Sequence, residues 1–568
     1  MTEINSKVYR LIKGKVSSKH IEKILGGALY RGLTNYQDYM GSQTVDLEEL
    51  LLKSLGSSTM FNRPFQEFLC HHVLTDAQIA VIAGSLKISS ADPYERRELI
   101  LKKTPIKIAS SIASSIGLSE DELTEPTDPP ADQHDILINP DPAQFLSLHD
   151  YQKTIKDSIV KKLLEDSASR MLVHMPTGSG KTKTCVEAIV DFLRTRPFNE
   201  GIVIWFAHSN ELCSQAYESL VKTWQVKGDY PLPVFRIFGE HDPDDEIIKA
   251  KKAVLFVGFQ KFRSLQMSVK EEAIRIRTHL STNAQLVVID EAHKSLANTY
   301  KAAVDYVSGM PNCRLIGLTA TPGRSNDIND PSNSILADYF KETLITITDE
   351  RGDSVPDPLS YLQTKGVLAT IEHTPIQVNI DEFSEAELNA IALSGELDQD
   401  NLDRIIESPK RNKIVIDEID KALQDKEKDL VLVFAGSTVH CVLLQKLLEF
   451  QGIKSSVVLG TTPSRLRDKY ISDFKKGDLR VLINFGVLTT GFDAPRLKTL
   501  IIARHTNSMI LYSQMIGRAL RGPLNGGNSK NYVIDLVDNI ASLGSPGFLF
   551  TYWEDFWGKR YKPLADQA

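Results

Sequence analysis

The residues that most clearly carry chemistry form a glycine-rich stretch between an apolar run and a helical pattern. The stretch reads Pro176, Thr177, Gly178, Ser179, Gly180, Lys181 and Thr182. Glycines let backbone N–H groups turn towards phosphate oxygens, and the start of the next helix adds the positive end of its dipole. We expect the Lys181 amine to contact the β- and γ-phosphates of ATP and the Thr182 hydroxyl to bind Mg²⁺. Met175 stands where the usual pattern has its first glycine or alanine, so only the second half is strict.

An acidic pair ends a second apolar run, VVIDEAH. Asp290 is placed to complete the Mg²⁺ shell opposite Thr182. Glu291 is placed to orient or deprotonate an attacking water. The alternative is two surface carboxylates at a strand end, but an acidic pair that ends a buried strand has little structural purpose. With the glycine-rich stretch, the pair predicts ATP hydrolysis.

The elements that must position these residues are short apolar runs that alternate with helical patterns. In the first series these are MLVHM, GIVIWFAH, AVLFVGFQ, QLVVIDEAH and RLIGLTAT. The second series is DLVLVFAGS, KSSVVLG, RVLINFGVL, KTLIIAR and NYVIDLVD. Buried parallel strands are continuous apolar runs, and intervening helices indicate right-handed βαβ units. The sequence therefore predicts two tandem α/β domains, each with a doubly wound parallel sheet.

Composition and periodicity divide the rest of the chain. Apolar residues recur at helical spacing up to residue 123, and a stretch rich in proline and aspartate follows. The predicted divisions are a helical accessory domain (1–123), a linker (124–147), the first α/β domain (148–350), a connector or insertion (351–409), the second α/β domain (410–556) and a tail (557–568). The acidic connector is better explained as a solvated insertion than as a binding segment.

Length and charge limit the functional class. The chain has 568 residues and a formal net charge of -7, which excludes a globally basic nucleic-acid binder but allows a local basic groove. Its five cysteines form no C-x-x-C pair, so they are expected to be reduced thiols. No run approaches a membrane span. We therefore expect a cytoplasmic protein with no membrane partner.

Several stretches, in this order along the chain, resemble the motifs of superfamily-2 helicases. The glycine-rich stretch, DEAH (290–293), LTATP (318–322) and QMIGRALR (514–521) resemble motifs I, II, III and VI. The Q-type motif is resembled by LHDYQ and motif Ia by WFAHSNELCSQA, and VLFVGFQKF fits the strand and loop beyond motif Ia. Motif IV is resembled by LVFAGSTVHC and motif V by VLTTGFDAP. The resemblance covers residues 148 to 540. It implies two RecA-like domains, with ATP bound between them.

The resemblance also implies roles for residues around the ATP site. Arg518 and Arg521 would act as arginine fingers, and Gln514 would face the γ-phosphate and the attacking water. His293 would couple the Mg²⁺ site to the second domain. Gln152 would recognise adenine, and Asp493 would contact the ribose or bridge the domains.

A nucleic-acid strand would lie across the domains, by the same resemblance. Thr489 and Gly491 of motif V would contact its backbone. Thr319 and Thr321 would link the ATP site to that groove, although they also fit plain strand-end threonines. Ser209 and Gln260 are further candidates for nucleic-acid contacts, with a simple loop role as the alternative.

The variants of these motifs look closer to RadD-like proteins and the motor subunits of restriction enzymes than to RNA-directed DEAD-box proteins. The expected activity is thus an ATP- and Mg²⁺-dependent helicase or translocase that acts on DNA in repair, restriction or phage defence. There is little room for a long strand-separating hairpin after motif V, and RadD-like proteins carry a cysteine cluster that is missing after motif VI. Two alternatives remain open: an ATP-gated regulatory subunit that controls a partner effector through the N-terminal domain, and an RNA-remodelling helicase.

Overall fold

The structure is a computed structural model. It describes residues 3–41, 46–116, 147–195, 200–294, 298–325, 330–349, 352–353, 355–378, 399–489, 491–492, 494–506, 508–538 and 557. The predicted linker 124–147 lies almost wholly outside these ranges, and only residue 557 of the predicted tail lies within them. Among the described helices, none combines the length and the apolar composition that a membrane crossing requires.

The N-terminal region is helical, as predicted. Its helices are α1 (Glu3–Ile12), α2 (Ser18–Leu25), α3 (Gly27–Tyr39), α4 (Leu47–Leu55), α5 (Arg63–Phe68), α6 (Asp76–Ser85), α7 (Pro93–Leu101) and α8 (Pro105–Ser115). Helices α5, α7 and α8 carry proline in their first turn, where no intrahelical N–H bond is lost. The apolar faces meet in one core that includes Phe65, Leu69 and Ile108.

The first α/β domain, lobe 1, is built on a seven-stranded sheet. Its strands are β1 (Arg170–His174), β2 (Gly201–Ala207), β3 (Val234–Ile237), β4 (Lys252–Gly258), β5 (Ala284–Asp290), β6 (Arg314–Thr319) and β7 (Leu344–Ile345). They pair in parallel in the order β3-β4-β2-β5-β6-β1-β7. Every residue of β2 is buried, which explains its continuous apolar run.

Helices cover both faces of this sheet. They are α9 (Asp150–Glu165), α10 (Lys181–Arg194), α11 (Asn210–Lys227), α12 (Glu246–Lys249), α13 (Phe259–Met267), α14 (Glu271–Asn283), α15 (Asn298–Ser308) and α16 (Pro331–Tyr339). Helices α9, α10 and α11 pack side by side over one apolar core, and α13, α14 and α15 contribute to a second core on the other face. Because all strands of this sheet run parallel, the carboxyl ends of β1 and β5 lie at the same edge of the sheet.

The second α/β domain, lobe 2, has a six-stranded parallel sheet in the order β10-β11-β9-β12-β13-β8. Its strands are β8 (Thr370–Val378), β9 (Val431–Ala435), β10 (Ser455–Val458), β11 (Val481–Asn484), β12 (Thr499–Ala503) and β13 (Lys530–Asp538). The helices from the lobe 1 boundary onwards are α17 (Pro358–Thr364), α18 (Gln399–Glu407), α19 (Pro409–Gln424), α20 (Thr438–Phe450), α21 (Ser464–Lys476) and α22 (Met509–Ile516). The two sheets confirm the predicted fold class.

The boundary of lobe 2 differs from the prediction, because the expected connector 351–409 contains β8. This strand pairs with β13 along its whole length, so the sheet begins at Thr370 rather than after residue 410. Strand β8 forms the edge of the sheet, and most of its side chains are exposed or partly exposed. It therefore lacks the continuous apolar run that marked the interior strands.

The N-terminal helices pack on lobe 2. Leu29 and Leu33 of α3 lie in the same core as Leu443 of α20. The Arg31 guanidinium donates to both carboxylate oxygens of Glu407, at 2.9 and 3.1 Å. The helical region is thus joined to lobe 2 by an apolar contact and a bidentate ion pair.

Candidate nucleotide-binding cleft

The glycine-rich stretch forms a loop between the end of β1 and the first turn of α10, as predicted. Gly178 and Gly180 have φ angles of 84° and 85°, in the region that favours glycine. The Ser179 hydroxyl donates to the Pro176 carbonyl at 2.7 Å. The Lys181 amine lies 3.4 Å from the same carbonyl. The loop therefore has the geometry of a phosphate-binding loop.

Gln152 of α9 contacts this loop at the Ser179 carbonyl. Its Nε2 donates to the Ser179 carbonyl at 2.9 Å, and its Oε1 accepts from the His149 N–H at 2.9 Å. The Tyr151 hydroxyl donates to the Ser179 carbonyl as well, at 2.7 Å. A Cβ atom at Gly180 would lie 2.4 Å from Gln152 Nε2. Gln152 thus supports the loop, and its contact with adenine stays a prediction.

The acidic pair lies at the carboxyl end of β5, and both residues are buried. Asp290 Oδ1 accepts from the Glu291 N–H at 3.0 Å, while Asp290 Oδ2 has no hydrogen-bond partner among the described residues. Burial, and then the charge of Glu291, raise the pKa of Asp290 to about 7. A divalent cation would relieve this cost, so the carboxylate fits a Mg²⁺ ligand.

Glu291 and Lys181 complete the charges of the site. Burial raises the pKa of Glu291, but His293 and Lys181 outweigh it and the net direction is downwards. Desolvation lowers the pKa of Lys181, and the charges of Glu291 and Asp290 oppose that shift. Glu291 also has a φ of 54°, which is strained for a side chain of its size.

His293 links the acidic pair to lobe 2. Its Nδ1 lies 3.1 Å from Thr319 Oγ1 and 3.5 Å from Glu291 Oε2, and its Nε2 lies 3.2 Å from Gln514 Nε2. Burial lowers the pKa of His293 to about 4, so the ring is neutral at pH 7. Thr319 Oγ1 in turn donates to the Thr321 carbonyl at 2.8 Å. The structure brings these predicted coupling residues together.

The two motif VI arginines face the phosphate-binding loop across a cleft of about 450 Å³ between the lobes. Lobe 1 lines it with Thr177, Gly178, Gly180, Lys181, Thr182, Lys183, Asp290 and Glu291, and lobe 2 with Gly491, Phe492, Ala494, Gly517, Arg518 and Arg521. Arg518 donates to the Phe492 carbonyl and, at 3.3 Å, to the Gln514 carbonyl. The predicted ATP-site residues Lys181, Thr182, Asp290, Arg518 and Arg521 thus share one cleft.

Helix α11 forms a wall of the cleft that the sequence did not reveal. Its lining residues are Leu212, Gln215, Glu218, Ser219, Lys222, Thr223 and Gln225. The polar residues among them recur at three- and four-residue spacing, the signal of one helical face. That signal was indistinguishable from an ordinary solvated face in the sequence.

The candidate nucleic-acid residues differ in their burial and contacts. The Ser209 hydroxyl caps α11 by accepting from the Leu212 N–H, at 3.3 Å. A Cβ atom at Gly491 would lie 3.3 Å from Ser209 Oγ, so these two residues meet between the lobes. Gln260 is exposed, and Thr489 is buried. Asp493 lies outside the described residues.

Comparisons with known proteins match both lobes. The model of the family described as "Type III restriction enzyme, res subunit" matches residues 145–324, and that of "Helicase conserved C-terminal domain" matches residues 413–523. Together they cover about half of the chain. The first spans the phosphate-binding loop and the acidic pair, and the second ends beyond Arg521.

Curated relatives match over the same region. The putative ATP-dependent helicase IRC3 of Saccharomyces cerevisiae is 25% identical over 418 residues, which are 71% of this chain and 53% of that protein. The EcoKI type I restriction endonuclease subunit of Escherichia coli is 23% identical over 440 residues, 70% of this chain and 35% of that protein. The aligned region therefore spans about half of the first relative and a third of the second.

The fold, the site and the family models support one assignment. The chain has two doubly wound parallel sheets, a phosphate-binding loop and a buried DEAH sequence, and one family model matches each lobe. The sheets are the RecA-like lobes that the sequence motifs implied. The chain belongs to the superfamily-2 helicases.

Proposed function

We propose that this protein is a nucleic-acid-dependent ATPase that couples ATP hydrolysis between its lobes to movement along DNA or separation of its strands. The observation that carries the proposal is the shared cleft, where Lys181 and Asp290 of lobe 1 face Arg518 and Arg521 of lobe 2. Phosphoryl transfer requires cationic groups around the γ-phosphate. Here those groups come from both lobes, so hydrolysis depends on their approach.

Within the cleft, the residues have distinct proposed roles. Lys181 and the loop N–H groups hold the phosphates, and Thr182 and Asp290 bind Mg²⁺. Bound Mg²⁺ would neutralise phosphate charge. Glu291 orients or deprotonates the attacking water, because the net effect of its surroundings keeps it ionised. Arg518 and Arg521 stabilise the charge that develops on the γ-phosphate, together with Gln514, which contacts His293 and does not itself line the cleft.

Coupling between hydrolysis and lobe movement is proposed to pass through His293. The ring contacts Thr319 on lobe 1 and Gln514 on lobe 2. Both contacts involve one imidazole, so a shift of Gln514 on lobe closure changes the hydrogen bonding of Thr319 and Thr321. These threonines, Ser209, Gln260, Thr489 and Gly491 are the proposed route to the nucleic-acid backbone. Asp493 retains its proposed role, a contact with the ribose or a bridge between the lobes.

DNA is the proposed track. The support is the form of the motifs and the similarity to a type I restriction endonuclease subunit. Contacts mainly to the backbone would make binding weakly dependent on sequence and strongly dependent on salt. The proposed biological settings are DNA repair, restriction or phage defence. The alternative to a DNA track is RNA remodelling, which the experiment below distinguishes.

A second candidate function rests on the helical N-terminal region. It packs on lobe 2 through Leu29, Leu33 and the Arg31–Glu407 ion pair. A domain held in this way would move with lobe 2 when ATP binds. It could then present a partner effector with an ATP-gated surface, in which case nucleic acid would not stimulate hydrolysis.

Steady-state ATPase activity tests these proposals. We expect hydrolysis that requires Mg²⁺ and is stimulated most by one form of DNA, among single-stranded, duplex and forked DNA and RNA. Best stimulation by RNA would support RNA remodelling. ATP binding with no response to any nucleic acid would support the partner-gated subunit.

The site assignment has its own test. Lys181→Ala and Glu291→Gln should each lower stimulated turnover by about 100-fold or more, because they remove a phosphate contact and the proposed base. Glu246→Gln is the control, since its side chain is half exposed on α12 and paired with Lys249. Wild-type turnover in either site variant would contradict the assignment.

A further inference from the structure

The segment that follows the motif VI arginines is hydrogen-bonded to the segment through which the chain passes from lobe 1 to lobe 2. We call residues 366–369 the crossing segment. The backbone bonds run from Ala369 N to Leu520 O (2.7 Å), from Gly522 N to Val367 O (3.0 Å) and from Leu524 N to Gly366 O (3.1 Å). Leu368 and Arg521 form an antiparallel bridge in the same ladder. The arginine-bearing segment therefore has a fixed position relative to the crossing segment.

Asn525 extends this ladder to the phosphate-binding loop. Its Nδ2 donates to the Gly178 carbonyl at 3.2 Å and to the Val367 carbonyl at 3.3 Å. Its Oδ1 lies 3.5 Å from Nε2 of His149, the residue that caps α9. One lobe 2 side chain thus contacts the phosphate-binding loop, the crossing segment and the start of α9.

The contact with Gly178 matters because the neighbouring peptide is held from the other side. Tyr151 and Gln152 both donate to the Ser179 carbonyl. Successive carbonyls of the loop are thereby bonded to different lobes: Gly178 to lobe 2 and Ser179 to α9 of lobe 1. The Asn525 carbonyl also lies 3.5 Å from Nη1 of Arg521, so the same residue contacts the loop and an arginine that faces it.

We propose that Asn525 is a positioning residue that links the Arg518–Arg521 segment to the phosphate-binding loop and so sets the arrangement of the two lobes around the cleft. The proposal rests on the proposed ATPase function and adds a residue outside the helicase motifs to it. Asn525 does not line the cleft with Lys181 and the arginines. It therefore acts through those residues, by determining how lobe 2 meets the loop.

The test compares Asn525→Ala and Asn525→Asp with the control Leu524→Ala. Leu524 lies in the same turn but is 58% exposed, and its backbone bond to Gly366 survives the substitution. Both Asn525 variants should lose about ten-fold in kcat, because each loses the two N–H donors. The aspartate also places a carboxylate against two carbonyls. The dissociation constant of an ATP analogue, measured without turnover, should stay within two-fold of wild type, as should kcat of Leu524→Ala.

Several outcomes of these kcat measurements would overturn the proposal. They are an unchanged kcat in Asn525→Ala, wild-type kcat in Asn525→Asp, and an equal loss in Leu524→Ala. Weaker binding of the analogue with unchanged kcat would also contradict it, because Asn525 would then act on the bound nucleotide rather than on lobe closure.

Small-angle X-ray scattering separates this proposal from the proposed function. If the wild-type protein hydrolyses no ATP, the ATPase proposal fails, but the link between the lobes is still measurable. Asn525→Ala should then have a larger radius of gyration than wild type and Leu524→Ala, with and without ATP and Mg²⁺. Equal radii for all three proteins in both conditions would refute the link.

Discussion

The conformation of the phosphate-binding loop requires glycine at position 180, where a side chain would be strained and would clash. The φ of Gly180 is 85°, and a Cβ atom would lie 2.4 Å from Gln152 Nε2. We expect Gly180→Ala to weaken binding of an ATP analogue by at least ten-fold, because the left-handed backbone costs about 1–2 kcal/mol and Gln152 must also leave the Ser179 carbonyl. Fluorescence titration with a labelled analogue measures this.

Gly14→Ala is the matched control. Its φ is 74°, but no atom lies within 4 Å of the position that the alanine methyl group would take. It should lose about 1 kcal/mol of unfolding free energy and bind the analogue normally. Equal analogue binding by the two variants would show that the contact with Gln152 does not shape the loop.

At the scale of elements, the glycine at position 32 lets helix α3 pack closely against Leu443 of α20. A Cβ atom at Gly32 would lie 2.7 Å from Leu443 Cδ2. Gly32→Ala should lower the free energy of unfolding by about 1–2 kcal/mol, because overpacking against the buried Leu443 outweighs the gain of about 0.5–1 kcal/mol from alanine in a helix. Gly84→Ala, in α6 with no atom within 4 Å, should instead raise it by up to about 1 kcal/mol. Denaturant titration of both variants checks the opposite signs.

The elements also show what the sequence could predict. Interior strands such as β2 and β5 were predicted because burial on both faces requires a continuous apolar run. The phosphate-binding loop and the acidic pair were predicted because their chemistry needs particular residues at fixed spacing. Strand β8 was missed because an edge strand is exposed and carries polar side chains.

Other parts of the site depend on tertiary contacts alone. The wall formed by α11 has the pattern of any solvated helix until lobe 2 covers it. Asn525 belongs to no helicase motif, and its contact with Gly178 arises only when lobe 2 folds back on lobe 1. Gln152 was predicted at the ATP site from its motif, but its support of the loop became visible only with the positions of Ser179 and His149.

For the whole molecule, we expect the helical region to move with lobe 2. All five cysteines are buried, so cysteines introduced at exposed positions can be labelled selectively. Tyr94 and Met267 are 66% and 75% exposed, on the helical region and lobe 1. Energy transfer between dyes at Tyr94→Cys and Met267→Cys should change when ATP, Mg²⁺ and nucleic acid are added.

In the control experiment the first dye stays at Tyr94→Cys, and the second dye is on lobe 2 at Lys475→Cys. Lys475 lies on α21 and is also exposed. Transfer between Tyr94→Cys and Lys475→Cys should stay constant, because Arg31, Leu29 and Leu33 join the helical region to that lobe. A change in this second pair would mean that the helical region moves independently of lobe 2.

Trp557 has a consequence for how the protein is made. It follows all of lobe 2 in the chain, yet it is buried in the core of lobe 1 and its Nε1 donates to the Pro322 carbonyl at 3.0 Å. Because a ribosome releases the chain from its amino end, lobe 1 emerges first and tends to fold first. The surface of lobe 1 around Pro322 therefore stays exposed until lobe 2 and Trp557 have been translated. Lobe 1 is thus the first lobe to begin folding and the last to be completed.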